Sequence, residues 1–275
     1  MTIGIDLGGT NLRCGLVSDG KVVKKLSETC RSYEAEHVVL DQIKGLIRQL
    51  ISPAVKGIGI GVPSVVDIEK GIVYNVINIP AWQEVPLKDI LEEEFKIPVH
   101  VNNDANCFAL GEQRCGNAKD FPNVVGVTLG TGVGAGIIMN NQLYCGSNVC
   151  AGEIGCFPYG DHTLEFYCGS AFFLGFHNTT GKEAMQLASE DDVRSLMIWE
   201  EFGKHIGVLV KMVMYAYDPD IIVFGGSISN ANPYFEKAMR EEMDTFDYPE
   251  ILKKIKIVFS TNEDISILGA ASLCG

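Results

Sequence analysis

The chain has 275 residues with 35 acidic against 22 basic side chains, a formal net charge of −13; that field repels nucleic-acid backbones and anionic lipid headgroups, so neither is an expected partner. Its 47% hydrophobic content is enough to fill the cores of two lobes, and no apolar run reaches the roughly 18 residues that cross a bilayer. Nine cysteines, an odd number set mostly in apolar or glycine-rich surroundings, fit reduced thiols and a cytoplasmic location better than a disulfide framework.

Residues 3–7 alternate into a short apolar strand, Gly8-Gly9-Thr10 forces a tight turn, and 12–17 and 21–26 read as two further strands around Asp19-Gly20. Between Glu34 and Ile51, Val38, Val39, Ile43, Leu46, Ile47 and Leu50 recur with helical period, and Pro53 closes the segment. Residues 57–62 predict a buried strand, 87–95 a short helix and 98–102 another strand. The pattern then begins again, with a helix over 104–114 and strands at 124–129 and 134–139 interrupted by Gly130-Thr131-Gly132. A long core helix through Phe202, Ile206, Leu209, Val210, Val213, Met214 and Tyr217 leads to a strand at 220–224 that ends in Gly225-Gly226, and the last helix spans 264–274. This repetition predicts two α/β lobes of similar build facing a common cleft. The expected division is 1–103 and 104–263, with the C-terminal helix, 264–275, packing back on the first lobe.

Five segments carry candidate chemistry. In Asp6-Leu7-Gly8-Gly9-Thr10-Asn11, paired glycines leave room for a phosphate to meet backbone N–H groups, and an Asp at a strand end can hold a Mg²⁺-bound water. The plain alternative is a hairpin whose glycines only supply positive φ. In Thr128-Leu129-Gly130-Thr131-Gly132-Val133-Gly134-Ala135-Gly136, alternating glycines strip one face of side chains so that a polyphosphate can approach. A strand-like segment follows it and no Walker lysine is present, which excludes the dinucleotide fingerprint and the P-loop. Val101-Asn102-Asn103-Asp104-Ala105-Asn106 puts polar residues at a strand-to-helix boundary, where α/β folds bind ligands; here the alternative is that Asp104 is a helix cap. Glu153, in Ala151-Gly152-Glu153-Ile154-Gly155, and Glu165 are carboxylates suited to a polyhydroxylated ligand, or else solvated surface charges. Tyr217 to Gly226 reads as a buried strand whose terminal glycine pair leaves space for a flat base or ribose.

Taken in order, these segments resemble the ROK family of sugar kinases and sugar-sensing repressors, within the fold group of hexokinase, actin and the heat-shock chaperone ATPase domain. The resemblance covers nearly the whole chain and implies a two-lobed actin/hexokinase-like (ribonuclease H-like) fold with a ligand cleft between the lobes. It implies that Gly8, Gly9, Thr10 and Asn11 form the first phosphate loop and Gly130, Thr131, Gly132 and Gly134 the second, with Gly225 and Gly226 at the adenosine. Asn103 and Asp104 match the family's sugar-binding and catalytic pair, with Glu153 and Glu165 as further sugar ligands. Gly61-Val62-Pro63-Ser64-Val65-Val66-Asp67 resembles a family stretch in which glycine usually stands at Ser64, and Asn78 of Asn-Ile-Pro-Ala-Trp looks like the other sugar contact. One departure stands out. The family's zinc-binding histidine is Cys156 here, and Phe157 to Leu164 lacks the cysteine cluster that normally follows, so no structural zinc is expected; a different site built from Cys156, His162 and Cys168 is the lesser alternative.

The resulting expectation is ATP- and Mg²⁺-dependent phosphorylation of a hexose hydroxyl, at the 6-position, with Asp104 as general base and Asp6 holding Mg²⁺ through water. The assembly, monomer or homodimer, stays open. The rival is a sugar-sensing transcriptional regulator of the same family without kinase activity. Regulators of that kind carry a winged helix-turn-helix ahead of the first phosphate loop, and a loop starting at Asp6 leads us to expect none.

Overall fold

The computed structural model describes residues 1–147 and 149–275, which group into two units. Unit 1 holds Met1–Asp120, Leu143–Ala151 and Asn262–Gly275; unit 2 holds Phe121–Gln142 and Gly152–Thr261. From the amino terminus run β1 (Thr2–Leu7), β2 (Asn11–Ser18), β3 (Lys21–Thr29), α1 (Glu36–Leu50), β4 (Ile58–Val62), β5 (Val65–Asp67), β6 (Ile72–Tyr74) and β7 (Glu84–Val85). Next come α2 (Leu87–Phe95), β8 (Val99–Asn103), α3 (Asp104–Cys115), β9 (Val124–Leu129), β10 (Val133–Met139) and β11 (Gln142–Tyr144). Then follow β12 (Pro158–Tyr159), β13 (His162–Thr163), α4 (Leu164–Cys168), α5 (Ser170–His177), α6 (Gly181–Ala188) and α7 (Val193–Tyr217). The chain closes with β14 (Ile221–Gly225), α8 (Asn232–Met243), α9 (Pro249–Leu252), β15 (Lys256–Phe259) and α10 (Ile265–Ala271).

In unit 1 the main sheet has the order β3-β2-β1-β4-β8. Its first three strands are antiparallel because the turns joining them are too short for a crossover; at Asp19-Gly20 both residues have positive φ, 53° and 70°, the backbone of a two-residue hairpin. Strands β1, β4 and β8 run parallel. All five residues of β4 are buried, as a strand covered on both faces requires. α10 packs on β1, β4 and α3, so closely that a Cβ on Gly59 of β4 would lie 1.7 Å from the Ala270 carbonyl oxygen. A three-stranded sheet of β5, β6 and β7 is an addition to the expected elements; strands of two or three residues are too short for alternation to register.

Unit 2 repeats the arrangement, with the order β11-β10-β9-β14-β15, β9 antiparallel to β10 and β9, β14 and β15 parallel. The long helix begins upstream of Phe202, at Val193, where the Asp192 carboxylate accepts the Ser195 N–H at 2.7 Å and caps it. Its apolar stripe closes an aromatic core with Phe172, Phe173 and Phe235, the Phe173 and Trp199 rings 4.8 Å apart and the Phe202 and Phe235 rings 5.5 Å.

Candidate active site

Parallel register decides what meets at the carboxyl edge of the unit 1 sheet. Asp6 of β1 lies opposite Gly61 of β4, which lies opposite Asn102 of β8, and Val62 pairs with Asn103. Asp6, the glycine turn after it, and Asn103-Asp104 therefore come to one sheet edge, the ligand-binding edge of open α/β sheets. Asn78 joins them from the turn between β6 and β7: its Cβ lies 2.6 Å from where a Cβ on Gly9 would stand. Neither Gly8 nor Gly9 is among the glycines with positive φ, so the first turn needs glycine at position 9 for the close approach of Asn78 rather than for backbone handedness. Gly8 donates its N–H to the Asn11 carbonyl at 2.8 Å, and the Thr10 carbonyl accepts from Cys30 at 2.8 Å.

The cap of α3 is Asn103. Its Oδ1 accepts from the N–H groups of Ala105 at 2.9 Å and Asn106 at 3.3 Å, and its Nδ2 donates to the Ser64 carbonyl at 3.3 Å. Asp104 is the first helical residue, and its Oδ1 also accepts from the Ala105 N–H at 2.8 Å. The neighbouring amides are engaged as well: Asn102 and Asn106 are buried, Asn106 Nδ2 donating to Asn102 Oδ1 at 2.9 Å and to Cys145 Sγ at 3.6 Å. Beneath them, burial and then the carboxylates of Asp104 and Asp6 hold the Cys107 thiol well above its usual range.

Arg13 is a residue of this edge that sequence reasoning missed. Its Nε donates to Asp6 Oδ2 at 2.9 Å and its Nη2 to the same oxygen, while Nη1 reaches the Glu263 carbonyl at 2.8 Å. A hairpin turning at Gly8–Thr10 puts position 13 opposite position 6, so the signal was an arginine at the cross-strand partner of a singled-out aspartate.

Unit 2 gathers the second set. Gly225 of β14 pairs with Thr128 of β9, so Gly225-Gly226 and the Gly130–Gly132 turn emerge together at the carboxyl ends of parallel strands. Gly226, with φ of 87°, passes so near that a Cβ would lie 2.3 Å from the Leu129 carbonyl oxygen. Gly134 sits one step along the β10 ladder opposite Thr128. Glu165, in the first turn of α4, points its carboxylate into this turn, Oε2 accepting from the Val133 N–H at 2.9 Å. Glu153 is exposed, yet loss of water around its carboxyl and then the charge of Glu165 raise its pKa, which places the two carboxylates in each other's field.

The sequence pattern of the ROK family matches residues 2–172 and 176–275. The chain belongs to the ROK family. A glucokinase of Halalkalibacterium halodurans is 28% identical over 98% of this chain and 94% of its own length. The structure of a ROK family glucokinase from Streptomyces griseus, in complex with glucose and AMPPNP, superposes with a TM-score of 0.83 at 25% identity, covering 99% of this chain and 98% of that one. A xylose repressor of Bacillus subtilis is 27% identical over 99% of this chain, which spans 76% of the repressor. The sheets described above are thus those of the actin/hexokinase-like fold of ROK sugar kinases.

Phe157–Leu164 forms the small β12–β13 hairpin, closed by the Leu164 N–H on the Phe157 carbonyl at 2.8 Å. Cys168 lies in the unit 2 core, where burial raises its thiol far above the ordinary range, and His162 stacks on Phe166 with ring centroids 4.0 Å apart. Among the described residues no three His, Cys, Asp or Glu side chains are grouped to hold a metal ion. Purified protein is expected to carry far less than one zinc per chain and to keep its melting temperature in a strong chelator; stoichiometric zinc by elemental analysis contradicts this.

Proposed function

We propose that this ROK protein is an ATP-dependent sugar kinase that transfers the γ-phosphate to a hexose hydroxyl, at the 6-position, with Asp104 as general base. The observation that carries the reading is the division of labour at the start of α3. Asn103 supplies the capping oxygen to Ala105 and Asn106, while Asp104, which shares the Ala105 N–H, opens the helix at the sheet edge that also holds Asp6 and the first glycine turn. There it can accept the hydroxyl proton as the sugar oxygen attacks phosphorus in line, a step that needs positioning and charge neutralisation rather than covalent chemistry.

In this reading Asn78, Asn103, Glu153 and Glu165 bind the sugar. Asn103 does so through its amide N–H side, because its oxygen is held by the cap. Gly8 and Gly130 spend their N–H groups inside their own turns, at 2.8 and 3.0 Å, so Gly9, Thr10, Asn11, Thr131, Gly132 and Gly134 frame the phosphates, with Gly225 and Gly226 at the adenosine. Mg²⁺ accompanying ATP supplies neutralisation of the phosphate oxygens; it keeps most of its water and asks for few carboxylates, which suits Asp6, oriented by Arg13, without a preformed cage.

The test is ADP release with a panel of aldohexoses, ketohexoses and N-acetylated amino sugars, alongside thermal melting. At least one hexose is expected to release ADP and, at millimolar concentration, to raise the melting temperature by mass action. The likeness to the xylose repressor favours one other reading, sugar binding without turnover. A sugar-dependent melting shift with no ADP release from any hexose would establish that one instead.

A further inference from the structure

The first residues of α4 and α5 bracket the second glycine turn. At the start of α4, Glu165 Oε2 accepts from the Val133 N–H at 2.9 Å. At the start of α5, Ser170 donates its backbone N–H to the Gly130 carbonyl and its hydroxyl to the Thr131 carbonyl, each at 3.0 Å. Thus the residues on both sides of Gly132 are tied to the start of α4 and the start of α5, which Gly169 joins. The carboxylate is set into backbone with no side chain to spare: a Cβ on Gly132 would lie 2.2 Å from Oε2, and one on Gly155 would lie 3.3 Å from the Glu165 Cβ and 2.4 Å from the Val133 carbonyl oxygen. A solvated surface charge requires none of this.

A carboxylate offers about four acceptor sites, so one backbone N–H leaves capacity for a sugar hydroxyl. We infer that Glu165 is shared between the two substrates: it holds the second glycine turn in its phosphate-binding form through Val133 and accepts from the hexose, so that each substrate tightens the binding of the other. The inference rests on the kinase reading. Its physical content is that a hydroxyl bonded to Glu165 orders the same carboxylate that orders the turn. Because binding coupling is reciprocal, the factor by which sugar tightens nucleotide equals the factor by which nucleotide tightens sugar.

The experiment measures AMPPNP affinity by calorimetry, with and without the hexose that the wild type phosphorylates, for wild type, Glu165→Ala, Glu165→Gln and Ser170→Ala. Without sugar, Glu165→Ala is expected to weaken AMPPNP by about tenfold or more, the loss of one charge-assisted hydrogen bond. Glu165→Gln keeps an oxygen at the same reach and should recover most of that loss, a rescue that a role in sugar binding alone does not predict. Ser170→Ala, which removes one neutral hydrogen bond, should cost about threefold. In the wild type, sugar should tighten AMPPNP at least about fivefold, and this factor should fall towards one in Glu165→Ala. AMPPNP binding indifferent to Glu165→Ala in the absence of sugar overturns the shared role while leaving the kinase reading intact. A wild type that binds no AMPPNP overturns both. If Glu165→Ala does not fold, the wild-type sugar factor together with Glu165→Gln and Ser170→Ala decides the question, an unchanged affinity in Ser170→Ala and no sugar effect in the wild type being the overturning result.

Discussion

Asp104→Asn is expected to fold, to retain sugar and ATP, and to lose about 10²–10⁴-fold in kcat, the usual contribution of a general base. Asparagine has nearly the shape of aspartate and can still hydrogen-bond a sugar hydroxyl, but it cannot take up the proton. The α3 geometry sharpens the test. Had Asp104 been the cap, asparagine would have replaced it almost silently; with Asn103 already accepting from Ala105 and Asn106, the substitution keeps an oxygen for the Ala105 N–H and removes a negative charge from the first helical turn. At the helix end that charge is worth about 0.3–1 kcal/mol of stability, which has no bearing on turnover. A kcat within about threefold of wild type, measured with sugar affinity on the same preparation, places the base elsewhere.

Gly269→Ala is expected to cost unit 1 about 3 kcal/mol or more, the upper end of overpacking, and to leave little folded protein at moderate urea concentrations. The added Cβ would lie 1.7 Å from the Cys107 carbonyl oxygen and 2.7 Å from the Gly111 nitrogen. Both are backbone atoms of α3, so no side chain can rotate out of the way and the two helices must separate. Separation is opposed on the other side of α10, where the Ala270 carbonyl already rests against Gly59. Gly45→Ala is the matched comparison: it lies inside α1 with nothing within 4 Å of the new Cβ, and should stabilise by about 1 kcal/mol through helix propensity. Urea midpoints moving in opposite directions for the two variants bear this out; a Gly269→Ala midpoint within error of wild type shows that α10 can shift without loss.

The two predictions draw on different layers of information. Strands β1, β2, β4, β9, β10 and β14 and helices α1, α2 and α3 were legible in the sequence, because alternation, helical period and turn residues are properties of contiguous stretches. So was the doubling of the plan: the strand, glycine turn and strand at Asp6 to Asn11 recurs at Gly130 to Gly136, and the two five-stranded sheets have the same order. The short strands β5–β7 carry too few residues for any period, and the helices α4–α6 follow a stretch whose hairpin has no regular pattern.

Which distant partner a polar side chain takes was settled by tertiary structure alone. Glu165 finds the Val133 N–H from 32 positions away in the chain, and Arg13 reaches the Glu263 carbonyl from 250 positions away. Sequence pattern reports how a residue relates to its near neighbours. A hydrogen bond between distant residues needs its two atoms brought within about 3 Å in the right orientation, and sheet register and helix placement, which bring them there, are set by the packing of whole units. The glycines show the same division: their presence marks the turns, but that Gly9 makes way for Asn78, Gly132 for Glu165 and Gly269 for α3 follows only from what the fold presses against each of them.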